Sequence, residues 1–495
     1  MAGDKTAVII GAGIGGITTS IYLARQGFRV TVYEKNASPG GRCGQILRDG
    51  HRFDAGATIY LMPEIYRQVF KTLDITEESC FKSLPLPTLY QICFEDGMKI
   101  DFTPDKKSLY EQLEKIEKGS SAKAEKLITE GYRNFRLATG NLLDRNFYGL
   151  FDFITFRNAL MLVQLKTHLR HTRYVKRFFK NENLQNAFTF QNIYVGQDPF
   201  SAPALFSMLA AAELTEGSLF PEGGMFAVTR KLVSLAEEAG VRFVYNSPVI
   251  KILTEKKKVT GVVLDNGSTI PAKIVICNAD LPYVYRELLS DAKVSRRLDS
   301  MRYSCSAIVL HWGLKKTYPQ LEHHNVFLSG SYRENLRKIF KDQSLSSNPS
   351  FYIHAPARTD STAAPEGGDS VSVIIPCGHL ANKSESEWND LKDTARKSVV
   401  ERLKKFGLSD IEENIKFEIS LLPQNWKSFM NLTHGSTFGI GHNIFQMGYF
   451  RPHNRHRKFE NLYFAGGSTH PGNGIPLVLL SAKLTAERIK KEQQS

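Results

Sequence analysis

Cysteine is scarce in this chain, with six among 495 residues, at positions 43, 80, 93, 277, 305 and 377. None of the spacings is that of a metal knuckle or a disulfide framework, so no metal site is read from the sequence, and the thiols suit burial in a reducing compartment. Internal repeats and low-complexity linkers are missing, and so is any helix-turn-helix, zinc-finger or RNA-recognition signature. The net charge of +14 therefore points away from nucleic acid and leaves an anionic bilayer as the partner such charge would suit. The opening residues carry no short apolar stretch with a small-residue cleavage site, which argues against a secretory signal and for the cytoplasmic side.

Apolar residues make up 42% of the chain, ample for more than one core, and two or three lobes are expected. The first organised pattern is at the start. Residues 7–10 are a continuous apolar run fitting a buried parallel strand, and residues 14–26 fit a helix directly after it. Between them stands Gly11-Ala12-Gly13-Ile14-Gly15-Gly16. In that context Gly11 permits the tight turn, Gly13 admits a pyrophosphate close to the backbone, and Gly16 lets helix and strand pack closely. Residues 29–33 supply a second strand ending in Glu34, the acid expected to accept hydrogen bonds from ribose hydroxyls, with Lys35 beside it. These features in register predict a bound dinucleotide.

Ser38-Pro39-Gly40-Gly41-Arg42 comes directly after the ribose strand. Gly40 and Gly41 let backbone amides approach a second part of the cofactor, and Arg42 can neutralise a phosphate or lie near a flavin ring. At the other terminus, residues 461–465 read as a strand, 466–474 as a loop crowded with Gly466, Gly467, Gly472 and Gly474, and 475–490 as a helix beginning at Ile475. The free amides at that helix start favour an anionic phosphate or a reduced flavin. Many flavoproteins place an acid in this loop; here Gly467 stands there, so hydrogen bonding falls to backbone groups.

The opening motif, Glu34, Pro39-Gly40-Gly41-Arg42 and Phe53-Asp54-Ala55-Gly56 together resemble the bacterial and fungal phytoene desaturases, flavin enzymes of carotenoid synthesis. Further matches are Phe220-Pro221-Glu222-Gly223-Gly224-Met225, Asn278-Ala279-Asp280, His434-Gly435-Ser436, Phe450-Arg451-Pro452-His453-Asn454-Arg455 and Thr469-His470-Pro471-Gly472-Asn473-Gly474-Ile475-Pro476, so the resemblance spans nearly the whole chain. It implies FAD as cofactor, Val249 near the adenine, a long apolar polyene as substrate, and quinone or oxygen as electron acceptor. The implied reaction is desaturation, by hydride transfer from an allylic carbon to flavin N5 with loss of the neighbouring proton.

The placement of these motifs predicts an α/β fold, with a discontinuous Rossmann-like FAD-binding domain (1–80, 220–295, 455–495), a mixed-sheet substrate domain (81–119, 296–454) and a helical membrane-facing lobe (120–219). Residues 307–314 and 370–375 read as strands of the substrate sheet, and 344–350 and 359–368 as surface loops. Aromatic residues crowd positions 147–179, and Lys166, Arg170, Arg173 and Arg177 recur there at helical spacing. Such a segment either presents a solvated basic face or lies in the headgroup layer of a membrane, and a lipid-borne substrate favours the membrane. It cannot span one, because Asp152, Arg157 and Asn158 interrupt it well short of about 20 apolar residues.

One departure from the resemblance bears on catalysis. Relatives carry an aspartate after Phe-Arg in this lobe, a candidate acid/base, where this chain has Phe156-Arg157-Asn158. A neutral amide cannot fill that role. His434, Asp198 and His453 are possible replacements, each better read as structural, so no catalytic residue is assigned. Besides phytoene desaturation, a late 3,4-desaturation of a hydroxylated carotenoid, a flavin-dependent carotenoid isomerisation and a non-redox prenyl-lipid carrier remain open.

Overall fold

Five short strands drawn from distant parts of the chain form one parallel sheet. Thr6–Ile10 lies at its centre between Ile274–Cys277 and Arg29–Tyr33, with Leu462–Phe464 and Arg242–Val244 at the edges. Helices cover one face and the three-stranded antiparallel sheet Val249–Glu255, Lys258–Leu264, Thr269–Pro271 covers the other, so both faces are buried, which is why the inner strands are apolar runs rather than alternating ones. Helix Ile14–Arg25 packs against both Phe226–Glu238 and the closing helix Ile475–Gln494, so the two ends of the chain share one core. Register aligns the strand ends. Ile10 pairs with both Tyr33 and Cys277, and Cys277 with Phe464, so the loops after these strands gather at one edge. The computed structural model describes residues 5–380 and 383–494; residues 1–4, 381–382 and 495, which fall in the expected segments 1–80, 296–454 and 455–495, lie outside it.

A seven-stranded mixed sheet faces this edge, in the order Ile415–Leu421, Ser306–Leu314, Asp369–Cys377, Phe351–His354, His324–Phe327, Tyr90–Cys93, Lys99–Phe102. Its strands alternate. Ile308, Leu310, Trp312, Val373 and Ile375 pack beneath helix Glu385–Lys405 with Trp388 and Leu403, while Ala307, Val309, His311 and Ile374 turn to the other side and line a cavity. Stretch 359–368 is less of a surface loop than its composition suggests. Asp360 is only 2% exposed, pairs with Arg52 and accepts from the Gly223 amide at 2.8 Å, because the loop fastens strand His51–Asp54 to the segment around Gly223.

Between residues 120 and 216 the chain is mainly helical. Helices Ser120–Ala138 and Ser207–Glu216 pack closely enough that a Cβ on Gly131 would sit 2.6 Å from the Ala211 methyl. The basic residues at helical spacing do not share one helix. Phe156–Gln164 starts at Thr155, whose hydroxyl accepts the Asn158 amide at 3.1 Å, and the chain reverses at Lys166, which has a φ of +55°. Lys166 pairs with Glu130, whereas Arg170, Arg173 and Arg177 are exposed. The crowded aromatics divide likewise: Phe147, Tyr174 and Phe179 are core, while Phe151 and Phe156 are exposed. Among the described residues no helix is long and apolar enough to cross a membrane.

Candidate functional site

The gathered loops of the parallel sheet and the inward face of the seven-stranded sheet enclose a cavity of about 700 Å³. Its wall includes Gly11, Gly13, Glu34, Lys35, Gly40, Gly41, Arg42, Val249, Gly466, Gly467, Gly474 and Ile475, from both ends and the middle of the chain. Gly16 stands behind the wall. A Cβ there would come within 2.2 Å of the Gly11 carbonyl oxygen, so its part is to let the helix approach the turn. The second glycine pair is held beside the first, since the Gly40 amide donates to the Ala12 carbonyl at 2.8 Å.

Glu34 has more partners than its spacing suggests. Its Oε2 accepts the Ala12 amide at 2.8 Å and its Oε1 the Asn36 amide at 2.9 Å. A carboxylate offers about four acceptor positions, so it still has capacity toward the cavity. Gly13 begins helix Ile14–Arg25 with no side-chain cap and no acid in the first turn, which leaves partial positive charge at that helix start. Lys35 reaches across to the Ser428 carbonyl at 2.7 Å and Asn431 Oδ1 at 3.1 Å. The half-buried Arg42 donates to the Thr437 carbonyl at 3.1 Å, and a Cβ on Gly467 would lie 3.0 Å from its guanidinium.

Several residues at this edge have roles that local pattern does not reveal. Arg451, 1% exposed, donates to the carbonyls of Ile440, Gly441, Gln446, Gly467 and Thr469 and so ties segment 440–446 to the closing loop. Burial, then the nearby Arg42 charge, pushes it down to about 9. Asn278 holds the closing strand's end by donating to the Ala465 carbonyl at 2.8 Å, and Asp280 accepts from Ser468 Oγ at 2.7 Å and the Thr433 amide at 3.0 Å. The Phe450–Arg455 motif is the one sequence signal for Arg451, but only the tertiary contacts give it these five acceptors.

Asp54, His311 and His442 are among the other titratable groups that line the cavity. Burial raises the Asp54 carboxyl to about 7 against the opposing pull of the Met225 and Phe226 amides. Burial lowers His311 to about 3 and keeps His442 well below the usual histidine range, so both imidazoles are neutral. Neither ring nitrogen of His442 has a protein partner, and a Cβ on Gly472 of the closing loop would approach its Nε2 to 2.4 Å.

Asn158, His434, Asp198 and His453 are not among the cavity-lining residues. Asn158 Nδ2 donates to the Phe153 carbonyl at 2.7 Å and the Asp152 carbonyl at 3.4 Å, joining two short helices. Asp198 caps the Phe200 amide at 2.9 Å, and His434 packs edge-on to Tyr303. Apart from the cavity, the sheet brings together His323, His324 and His354, a cluster that two distant sequence positions do not announce.

Residues 14–490 match the family of flavin-containing amine oxidoreductases. The zeta-carotene-forming phytoene desaturase of Myxococcus xanthus is 38% identical over 98% of this chain and 94% of its own length. The 4,4'-diapophytoene desaturase (4,4'-diaponeurosporene-forming) of Staphylococcus aureus strain Newman is 32% identical over 98% of both chains. An oxidoreductase from Methanosarcina mazei shares the fold at 15% identity, with a TM-score of 0.65 over 97% of this chain and 100% of its own. With both of its ends at one cavity and these relatives matched along almost its full length, the chain belongs to the flavin-containing amine oxidoreductases, in the branch of the phytoene desaturases.

Proposed function

We propose that this protein is an FAD-dependent carotenoid desaturase acting on phytoene or a partly desaturated carotene. The observation that carries this reading is one continuous cavity whose wall changes character along its length. Beside the parallel sheet it is glycine, Glu34 and Arg42; under the seven-stranded sheet it is Val309, Val326, Ile374, Leu336 and Ile339. The first part fits FAD. A Cβ on Gly474 would meet nothing within 4 Å, so the start of helix Ile475–Gln494 is open, and two helix starts and a cation converge where a pyrophosphate needs them. In this reading Gly11, Gly13, Gly40 and Gly41 admit the diphosphate, Glu34 takes the ribose with Lys35 beside it, Val249 borders the adenine, and Arg42, Gly466, Gly467, Gly474 and Ile475 surround the remainder.

Bound FAD supplies an acceptor for the hydride that leaves the saturated carbon, while the neighbouring carbon loses a proton and the two share a new double bond. The protein's own part is mainly placement. A hydrocarbon offers no charge or hydrogen bond, so the apolar wall must fix one carbon–carbon bond in position and exclude water. The released proton has a neutral acceptor within reach of the closing loop, His442, and the positive charge left on the substrate is spread over its own conjugated system, so a strong base is unnecessary.

The cavity also opens among apolar residues. Phe445, Phe450, Ile444 and Phe153 line it, and Phe153 packs on Phe450 at 5.6 Å between ring centres. Adjacent Phe151 and Phe156 are 85% and 81% exposed, Val163 is 62% and Phe445 77%. We read this strip, with exposed Arg170, Arg173 and Arg177 in the same lobe, as the face by which a peripheral enzyme takes its substrate from a membrane. Expression in a phytoene-accumulating bacterium tests the proposal. Coloured carotenes with extended conjugation are expected; unchanged phytoene together with purified protein that takes up no flavin would refute it, and unchanged phytoene with a yellow protein would move the activity to a later carotenoid.

A further inference from the structure

The inner wall of the seven-stranded sheet contains a second constellation that the desaturation reading does not use. Strands His324–Phe327 and Phe351–His354 run antiparallel with His324 directly opposite His354, and His323 turns its ring to the same side. All three are at most 3% exposed, and one ring nitrogen from each lies within 4.8 Å of the others. His323 Nε2 and His354 Nε2 are 3.2 Å apart. Two nitrogens bound tetrahedrally to zinc at about 2.0 Å would be separated by roughly 3.3 Å.

The surroundings suit a metal. His323 Nδ1 is 2.7 Å from Thr359 Oγ1 and His324 Nδ1 is 2.7 Å from Tyr352 Oη, which bonds in turn to Thr58 Oγ1. With each Nδ1 proton given to a hydroxyl oxygen, both Nε2 atoms carry lone pairs, the tautomer and outer support that metal-bound imidazoles have. His324 Nε2 is buried with no protein partner. Burial, with the neighbouring imidazoles and arginines, keeps all three rings well below the usual histidine range and therefore neutral. The nearest cations, Arg52 and Arg358, are already matched by the buried carboxylates of Asp360 and Asp369. A small outer cavity bordered by Leu84, Pro87, Glu322, His323 and Thr359 gives an entry path.

We infer that His323, His324 and His354 bind one divalent zinc ion, with a fourth position left for water, and that the ion pins the turn at Thr359 to the sheet. An imidazole set without carboxylate or carbonyl excludes magnesium and calcium, and the nitrogen spacing favours a tetrahedral ion. The inference does not depend on which substrate the enzyme desaturates.

The test uses flavin-loaded protein freed of metal by chelation, equilibrated with zinc sulfate and desalted. Metal analysis is expected to show about one zinc per chain, with X-ray absorption reporting nitrogen or oxygen neighbours at about 2.0 Å and no sulfur. His324→Gln and His354→Gln should abolish retention. Thr359→Val, a mild change outside the ligand set, should weaken it about 10- to 100-fold while flavin content is unchanged, so it decides the matter should the histidine variants fail to fold. Protein that retains no zinc, zinc with sulfur neighbours, or zinc held undiminished by Thr359→Val would overturn the inference.

Discussion

At the residue scale, glycines with similar sequence surroundings carry different physical loads. Gly16→Ala would press a methyl against the Gly11 carbonyl, backbone against backbone, whereas Gly474→Ala meets no atom but holds a φ of +89°. The first should cost about 1–3 kcal/mol through overpacking, and the second about 1 kcal/mol through backbone strain. Thermal unfolding and flavin titration separate them: Gly16→Ala lowers both stability and flavin retention, while Gly474→Ala lowers flavin affinity by more than its modest stability loss if a phosphate sits at that helix start. Asn158 is a second case. Its amide donates to two carbonyl oxygens, so Asn158→Asp would set an anion against two acceptors in a site 4% exposed. We expect a loss of a few kcal/mol and no gain in turnover. A faster Asn158→Asp enzyme would show that the position is catalytic after all.

At the scale of elements, most strands and helices are legible in the sequence. Residues 29–33 form the strand expected, and the closing helix begins at Ile475, where the glycine-rich loop ends. The basic segment around 166–177 is different: charge recurs there every three or four residues, yet the structure holds no single helix. Helical spacing in sequence says nothing about a chain reversal, and Lys166 at positive φ supplies one. What the periodicity hides, exposure shows. Phe151 and Phe156 project from short helices beside the cavity mouth, where burying each in lipid is worth about 1.5 kcal/mol. The double variant Phe151→Ser, Phe156→Ser should therefore bind anionic vesicles about 100-fold more weakly in sedimentation, with an unchanged melting temperature. A large drop in melting temperature would instead mean that these rings support the fold.

At the scale of the whole molecule, buried histidines set the acid limit. His171, His311, His323, His324, His354, His442 and His470 all have lowered values in the folded protein, from burial first. Between about pH 6.5 and pH 4 the unfolded chain takes up protons at these positions that the native chain does not, so stability falls as pH falls, by about 1.4 kcal/mol per unit for each affected ring. Asp54 and Glu213, raised by burial to about 7 and about 8, act in the opposite direction, since they bind protons more readily when folded. His51, His379, His434, His453 and His456 are lowered as well, and Asp198, Glu216, Glu322, Asp369 and Glu487 are raised, so twelve rings against seven carboxyls decide the sign. Urea unfolding at a series of pH values should show stability dropping steeply below pH 6.5; a flat profile down to pH 5 would mean that these imidazoles are protonated in the native state.

The sequence by itself determined the glycine-lined edge of the parallel sheet, because strand, glycine turn, helix and acid are local devices whose spacing is set by backbone geometry within some thirty residues. It also determined that both termini carry such devices. Tertiary structure alone decided that they share one cavity, that Glu34 is anchored by the Ala12 amide, that Arg451 clamps five carbonyls, and that His323 and His324 meet His354. The cavity joins residues hundreds of positions apart, and even the shorter contacts have partners fixed by sheet register and burial, which no local pattern encodes.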